Sequence, residues 1–442
     1  MQEAEPLAAT APDRSGAPMV IADVLSVPVR TGFFSDDQAA IRDGAAHDGF
    51  TYIGRPLTTG FDAIRQPGEA VSVLLLMEDG RVAHGDCAAV QYSGVGGRAP
   101  IFSAGRAADA IANHIAPLLR GRNIRNFRDP AQELDALVVD GEPLHVAIRY
   151  GVTQALLDAV AQMRGLTMAE VVRDEYDTGI AIRPVPMFVQ SGDDRYTNVD
   201  KMVLKEADVL PHGLINDVET KLGGEGELLL AYVAWVRDRI IALRRRPDYT
   251  PRLHFDVYGT IGLVFEGDVE RVAAYLARLG TAAEPFALCV EHVIDAGNRA
   301  DQIRVSAALR RVLRNGGSGV QIAVDEWCNT LEDIELFVSA GAADMIHVKT
   351  PDLGGINNAI QALLLVAGHG LSAYCGGTCN ETDRSAQVSA HIAMACGAAQ
   401  VLAKPGMGVD EGMMIVGNEM ARVAALVAGR DGTAQKPGVV RM

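Results

Sequence analysis

The chain has 442 residues, 48% of them hydrophobic, which suits two domains with sizeable cores, one of them large enough for a barrel of about 250 residues. Its formal net charge of −16 is spread along the chain and argues against nucleic acid or an anionic membrane as partner. Six cysteines without a CxxC pair make no disulfide framework, no apolar run approaches the ~20 residues that span a bilayer, and no signal peptide precedes the first elements, so a cytoplasmic location is expected.

Residues 1–18, rich in Ala, Pro and acidic side chains, read as a flexible leader. Strands are expected over 19–29, over 72–77 before the Asp79-Gly80 turn, and over 82–92, followed by helices over 107–119 and 145–163. Strands first and helices after predict an α+β domain over 19–180, closed by the boundary sequence Arg183-Pro184-Val185-Pro186. From 181 to 442 the pattern becomes a strict alternation. Strands are expected over 184–190, 208–214, 252–256, 286–291, 320–325, 344–349, 371–376 and 399–402. Helices lie between them, including 227–245, 269–279, 303–313, 331–339, 356–367 and 383–396. Eight strands alternating with helices predict a TIM-type (β/α)8 barrel, with chemistry at the C-terminal strand ends.

Inspection of those ends finds Asp256, Glu291 and Asp325 on consecutive strands, one βα unit apart, and Lys349 on the next. A single strand-end carboxylate is ordinarily a helix cap or a solvated group. Three on neighbouring strands ~4.8 Å apart would repel one another, and a divalent cation removes that cost. Oxygen ligands without Cys or His favour Mg²⁺. A carboxylate substrate held there can lose the adjacent C–H proton, the metal stabilising the enediolate, provided that a base is at hand. Lys349 would serve if burial and the cation kept it neutral. This combination is that of the enolase superfamily. His347 shares the Lys349 face of its strand by the period of two. His254, His292 and His369 receive no role, and Lys404 reads as structural or surface.

Longer runs narrow the reading. They are Val189-Gln-Ser-Gly-Asp-Asp-Arg-Tyr196, Glu206-Ala-Asp-Val-Leu-Pro-His212, Asp256-Val-Tyr-Gly-Thr-Ile-Gly262, Asp325-Glu-Trp-Cys-Asn-Thr330, Lys349-Thr-Pro-Asp-Leu-Gly-Gly355, Gly376-Gly-Thr-Cys-Asn-Glu381 and Lys404-Pro-Gly-Met-Gly-Val-Asp-Glu-Gly-Met413. From about Val20 to the C-terminus the chain resembles the 3-methylaspartate ammonia-lyase family. The resemblance implies reversible elimination of ammonia from L-threo-3-methylaspartate to mesaconate on an enolase-like fold, with the N-terminal domain capping the barrel. It implies Mg²⁺ on Asp256, Glu291 and Asp325, a monovalent cation such as K⁺ as a possible activator, Lys349 as the base for the C3 proton, and His212 as the acid/base on the opposite face. Gln190, Thr378, Cys379, Gln91 and the position of His347 are implied as substrate contacts, and a homodimer as the assembly. Two departures stand out: the family pattern has Gln where this chain has His347, and Glu-Gly-Pro where it reads Glu291-His292-Val293. They bear on substrate range and stereochemical preference. The alternatives are another enolase-superfamily lyase or epimerase working from both faces and, in a different class, a non-catalytic barrel that keeps a metal for structure.

Overall fold

The computed structural model describes residues 19–430, so the expected leader over 1–18 lies outside the described residues. Three long antiparallel strands begin it: β1 (Met19–Asp36), β2 (Arg65–Met77) and β3 (Val82–Ala88). With the short β4 (Asn123–Ile124) they form a sheet in the order β3-β2-β1-β4. Alternation in β2 turns Val71, Val73, Leu75 and Met77 inward, where they join a core with Val152, Leu156 and Val160 of the helix Val146–Arg164. β1 runs seven residues beyond its expected end, with a register shift between Arg30 and Phe34 that carries Asp36 to the barrel mouth. The helix expected over 107–119 starts at Ala104 and carries a π turn at Ile111–Ile115, where Ala116 donates to Ile111. Pro117 has no N–H to give to the preceding turn, and the widened turn lies just before it.

All eight expected parallel strands are present: β5 (Met187–Phe188), β6 (Val209–His212), β7 (Arg252–Asp256), β8 (Leu288–Glu291), β9 (Gln321–Val324), β10 (Met345–Val348), β11 (Ser372–Cys375) and β12 (Gln400–Leu402). They close as a barrel in chain order, with β12 pairing β5. β5 is much shorter than expected because Pro184 and Pro186 cannot donate to a ladder. Phe188, Val209, Cys289, Ala323, Met345, Tyr374 and Leu402 pack together as a small core of their own. The helices Leu331–Ser339 and Asp383–Cys396 match their expected ranges, and both begin with capping boxes, at Thr330 and Thr382. Two further helices complete the alternation, Arg195–Leu204 between the first two barrel strands and Asp410–Arg430 after the last. The second carries Gly412, Gly417 and Gly429, which weaken its helical signature, and tertiary contacts hold it, including His391 Nε2 to Glu419 Oε1 at 3.0 Å.

Sheet and helix approach closely where two glycines meet. A Cβ on Gly151 would stand 2.4 Å from the Cys87 nitrogen, and one on Gly85 would stand 2.3 Å from the Gly151 carbonyl oxygen. Alanine in a helix ordinarily gains about 1 kcal/mol over glycine, but overpacking against backbone costs about 1–3 kcal/mol. Gly151→Ala is therefore expected to lower the melting temperature. Gly105→Ala, on an exposed helical position with open space around it, should raise it slightly; calorimetry of the two variants checks the opposite signs.

Candidate active site

The C-terminal ends of the barrel strands and the loop Val90–Arg98 of the N-terminal unit enclose a cavity of about 520 Å³, counted to its open mouth. All ten residues singled out in the sequence line it: Gln91, Gln190, His212, Asp256, Glu291, Asp325, His347, Lys349, Thr378 and Cys379. Parallel register explains part of this convergence, because Asp256 pairs with Glu291 and His347 with Tyr374 on neighbouring strands.

On one side of the cavity Lys349 Nζ donates to Asp325 Oδ2 at 2.5 Å. Burial and the Arg98 charge push the lysine pKa down, but Asp325, Glu326 and Asp352 more than offset them and hold it above its ordinary value. These carboxylates therefore favour the charged ammonium of Lys349. Across the cavity His212 is neutral. Burial and then Lys404 press its pKa down to about 3; its Nε2 lies 3.5 Å from Asp256 Oδ2, and its Nδ1 has no hydrogen-bond partner.

The carboxylates do not share one state. Burial, followed by repulsion from Glu291 and Glu326, pushes Asp256 well above the usual range. Burial opposes ionisation of Glu291 too, but the neighbouring His254 and His347 hold it below its ordinary value. Asp325 is held down against burial by Lys349, His347 and Arg98. Glu291 Oε1 accepts from Tyr374 at 2.5 Å. Among the described residues, donor atoms of Glu291, Asp325 and His347 lie within 4.8 Å of one another, a spacing that suits a metal ion. Asp256 stands beside this group, with its backbone register opposite Glu291.

The remaining side chains form the opposite wall. Gln91 donates its backbone N–H to Thr378 Oγ1 (3.2 Å) and its side-chain amide to Asp36 (2.7 Å), while Cys379 Sγ donates to Gln91 Oε1 at 3.0 Å. Gln190 contacts Met407 Sδ through Nε2, and its Oε1 is unpartnered. Burial raises the Cys379 thiol, in keeping with a neutral wall residue.

Several residues at this site escaped the sequence reading. Lys404 is not a surface residue: it is 3% exposed, lines the cavity, and has its pKa lowered to about 8, chiefly by burial. Its signal was present, since it follows the end of β12 much as Lys349 follows the end of β10. Arg98 left no comparable signal because it sits in a Gly-rich loop. It is buried and reaches Asp325, Glu326 and Asp352 at 3.3, 3.5 and 3.0 Å. His254 and His292, given no role, are buried against Glu291 (3.1 Å) and Glu326 (2.5 Å) respectively. His369 is exposed, outside the cavity, and contacts its own helix through Leu365 O.

Two family profiles match in succession, methylaspartate ammonia-lyase N-terminus over residues 19–177 and methylaspartate ammonia-lyase C-terminus over residues 179–429. The chain is 58% identical to methylaspartate ammonia-lyase of Clostridium tetanomorphum over 412 residues, covering 93% of this chain and 100% of that one. The crystal structure of β-methylaspartase from that organism, an Mg complex, superposes with a TM-score of 0.90, over 93% of this chain and 100% of that one. Methylaspartate ammonia-lyase of Citrobacter amalonaticus containing (2S,3S)-3-methylaspartic acid is 52% identical, with a TM-score of 0.91, over 92% of this chain and 100% of that one. At the level of fold alone, the likeness extends to muconate lactonizing enzyme from Pseudomonas fluorescens, with 19% identity and a TM-score of 0.58 over 85% of each chain.

Arg98 is the shared cation of three buried carboxylates. Arg98→Ala is expected to cost about 3–5 kcal/mol of stability by leaving them uncompensated. Arg98→Lys should fall in between, since an ammonium keeps the charge but cannot span three partners as a guanidinium fork does. Denaturant unfolding of the two variants measures the difference.

Proposed function

The chain belongs to the methylaspartate ammonia-lyase family, carbon–nitrogen lyases on an enolase-like fold, and on that premise we propose that it eliminates ammonia reversibly from L-threo-3-methylaspartate to give mesaconate in a Mg²⁺-dependent reaction. The observation that carries this reading is the placement of Lys349 and His212 on opposite sides of one cavity, with Asp256, Glu291 and Asp325 at its base.

The donor set fits a hard divalent cation. Asp256 and Glu291 stand opposite each other on adjacent strands, and Glu291 Oε2 is buried without a hydrogen-bond partner. Mg²⁺ held by Asp256, Glu291 and Asp325 would supply positive charge against the reacting carboxylate and against Asp325, easing the grip of Asp325 on the Lys349 proton. Neutral Lys349 Nζ takes the proton from C3. The electron pair left there closes the C2=C3 double bond as the C2–N bond breaks, and ammonia departs with the bonding pair. The reverse reaction returns the proton from Lys349. Neutral His212 performs the same abstraction from the other face, for the opposite configuration at C3. Gln91, Gln190, Thr378, Cys379 and His347 position the substrate carboxylates. We assign Lys404 to the same task, as the buried cation of that wall.

The reading includes K⁺ or a similar monovalent activator, a capping domain over 19–180 on a barrel over 181–442, a homodimer and a cytoplasmic setting. No helix among the described residues is long and apolar enough to cross a membrane. His347, with bases on both faces, favours one second reading, an epimerase or another lyase of the enolase superfamily; hydrogen–deuterium exchange at carbon without ammonia release would select it.

Purified protein with Mg²⁺ and threo-3-methylaspartate is expected to generate the ultraviolet absorbance of mesaconate; intact, metal-loaded protein giving no product overturns the proposal. Lys349→Ala should reduce turnover of this substrate by about 10²–10⁴-fold, while His212→Ala should chiefly reduce activity on the C3 epimer. Lys404→Met should raise KM about 10–100-fold, the worth of one charge-assisted hydrogen bond. In the unmodified protein the lowered lysine pKa means that the cation is present below about pH 8 and lost above it. Its KM should therefore rise on the alkaline side, and a KM–pH profile that Lys404→Met flattens identifies the group.

A further inference from the structure

His347 is this chain's own departure at a position otherwise read as a substrate contact, and its surroundings are those of a ligand. Its Nε2 lies 2.9 Å from the carbonyl oxygen of Gly376. A carbonyl only accepts, so Nε2 carries a hydrogen. Nδ1 faces Glu291 Oε1 and Asp325 Oδ1, each at 3.2 Å. Carboxylate oxygens also only accept, so the position among these three atoms calls for positive charge, which either a second ring proton on Nδ1 or a cation bound by its lone pair in that proton's place supplies.

The orientation of His347 is constrained from several sides. Tyr374 stacks on the ring with centroids 4.0 Å apart, and its hydroxyl donates to the same Glu291 oxygen. Asp325 uses its other oxygen, Oδ2, for Lys349 and Arg98, leaving Oδ1 directed at the imidazole. Gly376 holds the far nitrogen, an arrangement that fixes the tautomer of metal-binding histidines. An octahedron with metal–donor distances of about 2.1 Å has edges of about 3.0 Å, so donors 3.2 Å apart are spaced as adjacent ligands of one ion. Glu291 supplies the second sign of a ligand, with Oε2 buried and outside hydrogen-bonding geometry although it lies 3.1 Å from His254.

We propose that His347 Nδ1 is a direct ligand of the divalent cation, beside Glu291 and Asp325. This gives a mixed nitrogen–oxygen site that favours Mn²⁺ and Co²⁺ over Mg²⁺ more than an all-oxygen site would. Imidazole nitrogen is a better donor for those ions than for Mg²⁺, which prefers oxygen. The inference rests on the metal reading above and deepens it by assigning the preference for one ion over another.

The test uses the full-length protein, stripped with chelator and reloaded with Mn²⁺, beside His347→Gln and His254→Gln. Calorimetric titration reports whether a divalent ion binds at all. Electron spin echo modulation of the bound Mn²⁺ reports whether nitrogen is coordinated. The expected result is a directly bound imidazole nitrogen in the unmodified protein and in His254→Gln, lost in His347→Gln. Mn²⁺ affinity in His347→Gln should fall by roughly tenfold or more, with a smaller change for Mg²⁺. Mn²⁺ binding without nitrogen coupling in the unmodified protein, or a coupling that persists in His347→Gln, overturns the assignment while leaving the metal reading intact. Absence of divalent binding in all three proteins overturns both.

Discussion

The concentration of buried negative charge at the barrel mouth is the constraint on which the rest of the structure turns. Asp256, Glu291, Asp325, Glu326 and Asp352 are all nearly inaccessible to water. Two like charges ~4 Å apart in an environment of intermediate polarity repel by about 4 kcal/mol, so several cannot share one site unless cations are fixed among them. Arg98, Lys349, His254, His292 and His347 provide those partners. They come from four segments, with His347 and Lys349 together at the end of β10, and the balance exists only when the barrel is closed and the loop Val90–Arg98 is seated.

That dependence makes the N-terminal unit part of the site rather than a cover. β1 ends at Asp36, which accepts from Arg65 and Gln91. Gln91 in turn touches Thr378 and Cys379, while Asn329 donates to the Gly96 carbonyl at 2.7 Å. The same loop therefore carries the guanidinium that neutralises Asp325 and the amide that orders the Thr378–Cys379 wall of the cavity. Displacing it would expose charge and disorder the wall together.

Position within this field separates groups of similar chemistry. His212 and His347 are both buried, yet the first is driven strongly toward neutrality while the second is drawn up by Asp325 against burial. Lys349 and Lys404 follow barrel strands in a similar way, but Lys349 pairs with a carboxylate at 2.5 Å while Lys404 donates to the Gly406 carbonyl at 3.4 Å. Their pKa values move in opposite directions as a result. Residue type set what each could do, and the neighbours set its charge.

The sequence by itself determined the barrel, because eight apolar runs separated by helical periodicity leave few other ways to bury both faces of the strands. It also determined which residues stand at the strand ends, and hence the carboxylates and Lys349, because a strand's last residue is a local property. Only the tertiary structure decided what those residues meet. Arg98 arrives from a Gly-rich loop more than two hundred residues away from Asp325 in the chain, and no periodicity announces such a contact. Lys404 repeats the strand-end signal of Lys349, but it read as structural because burial within the shared cavity is not encoded in a short run. His347 is the clearest case. Its alternation placed it on the face of Lys349, but only the approach of β8, β9 and β11 put its ring between two carboxylates and a tyrosine. Strand positions follow from local pattern, whereas electrostatic partners follow from closure of the barrel.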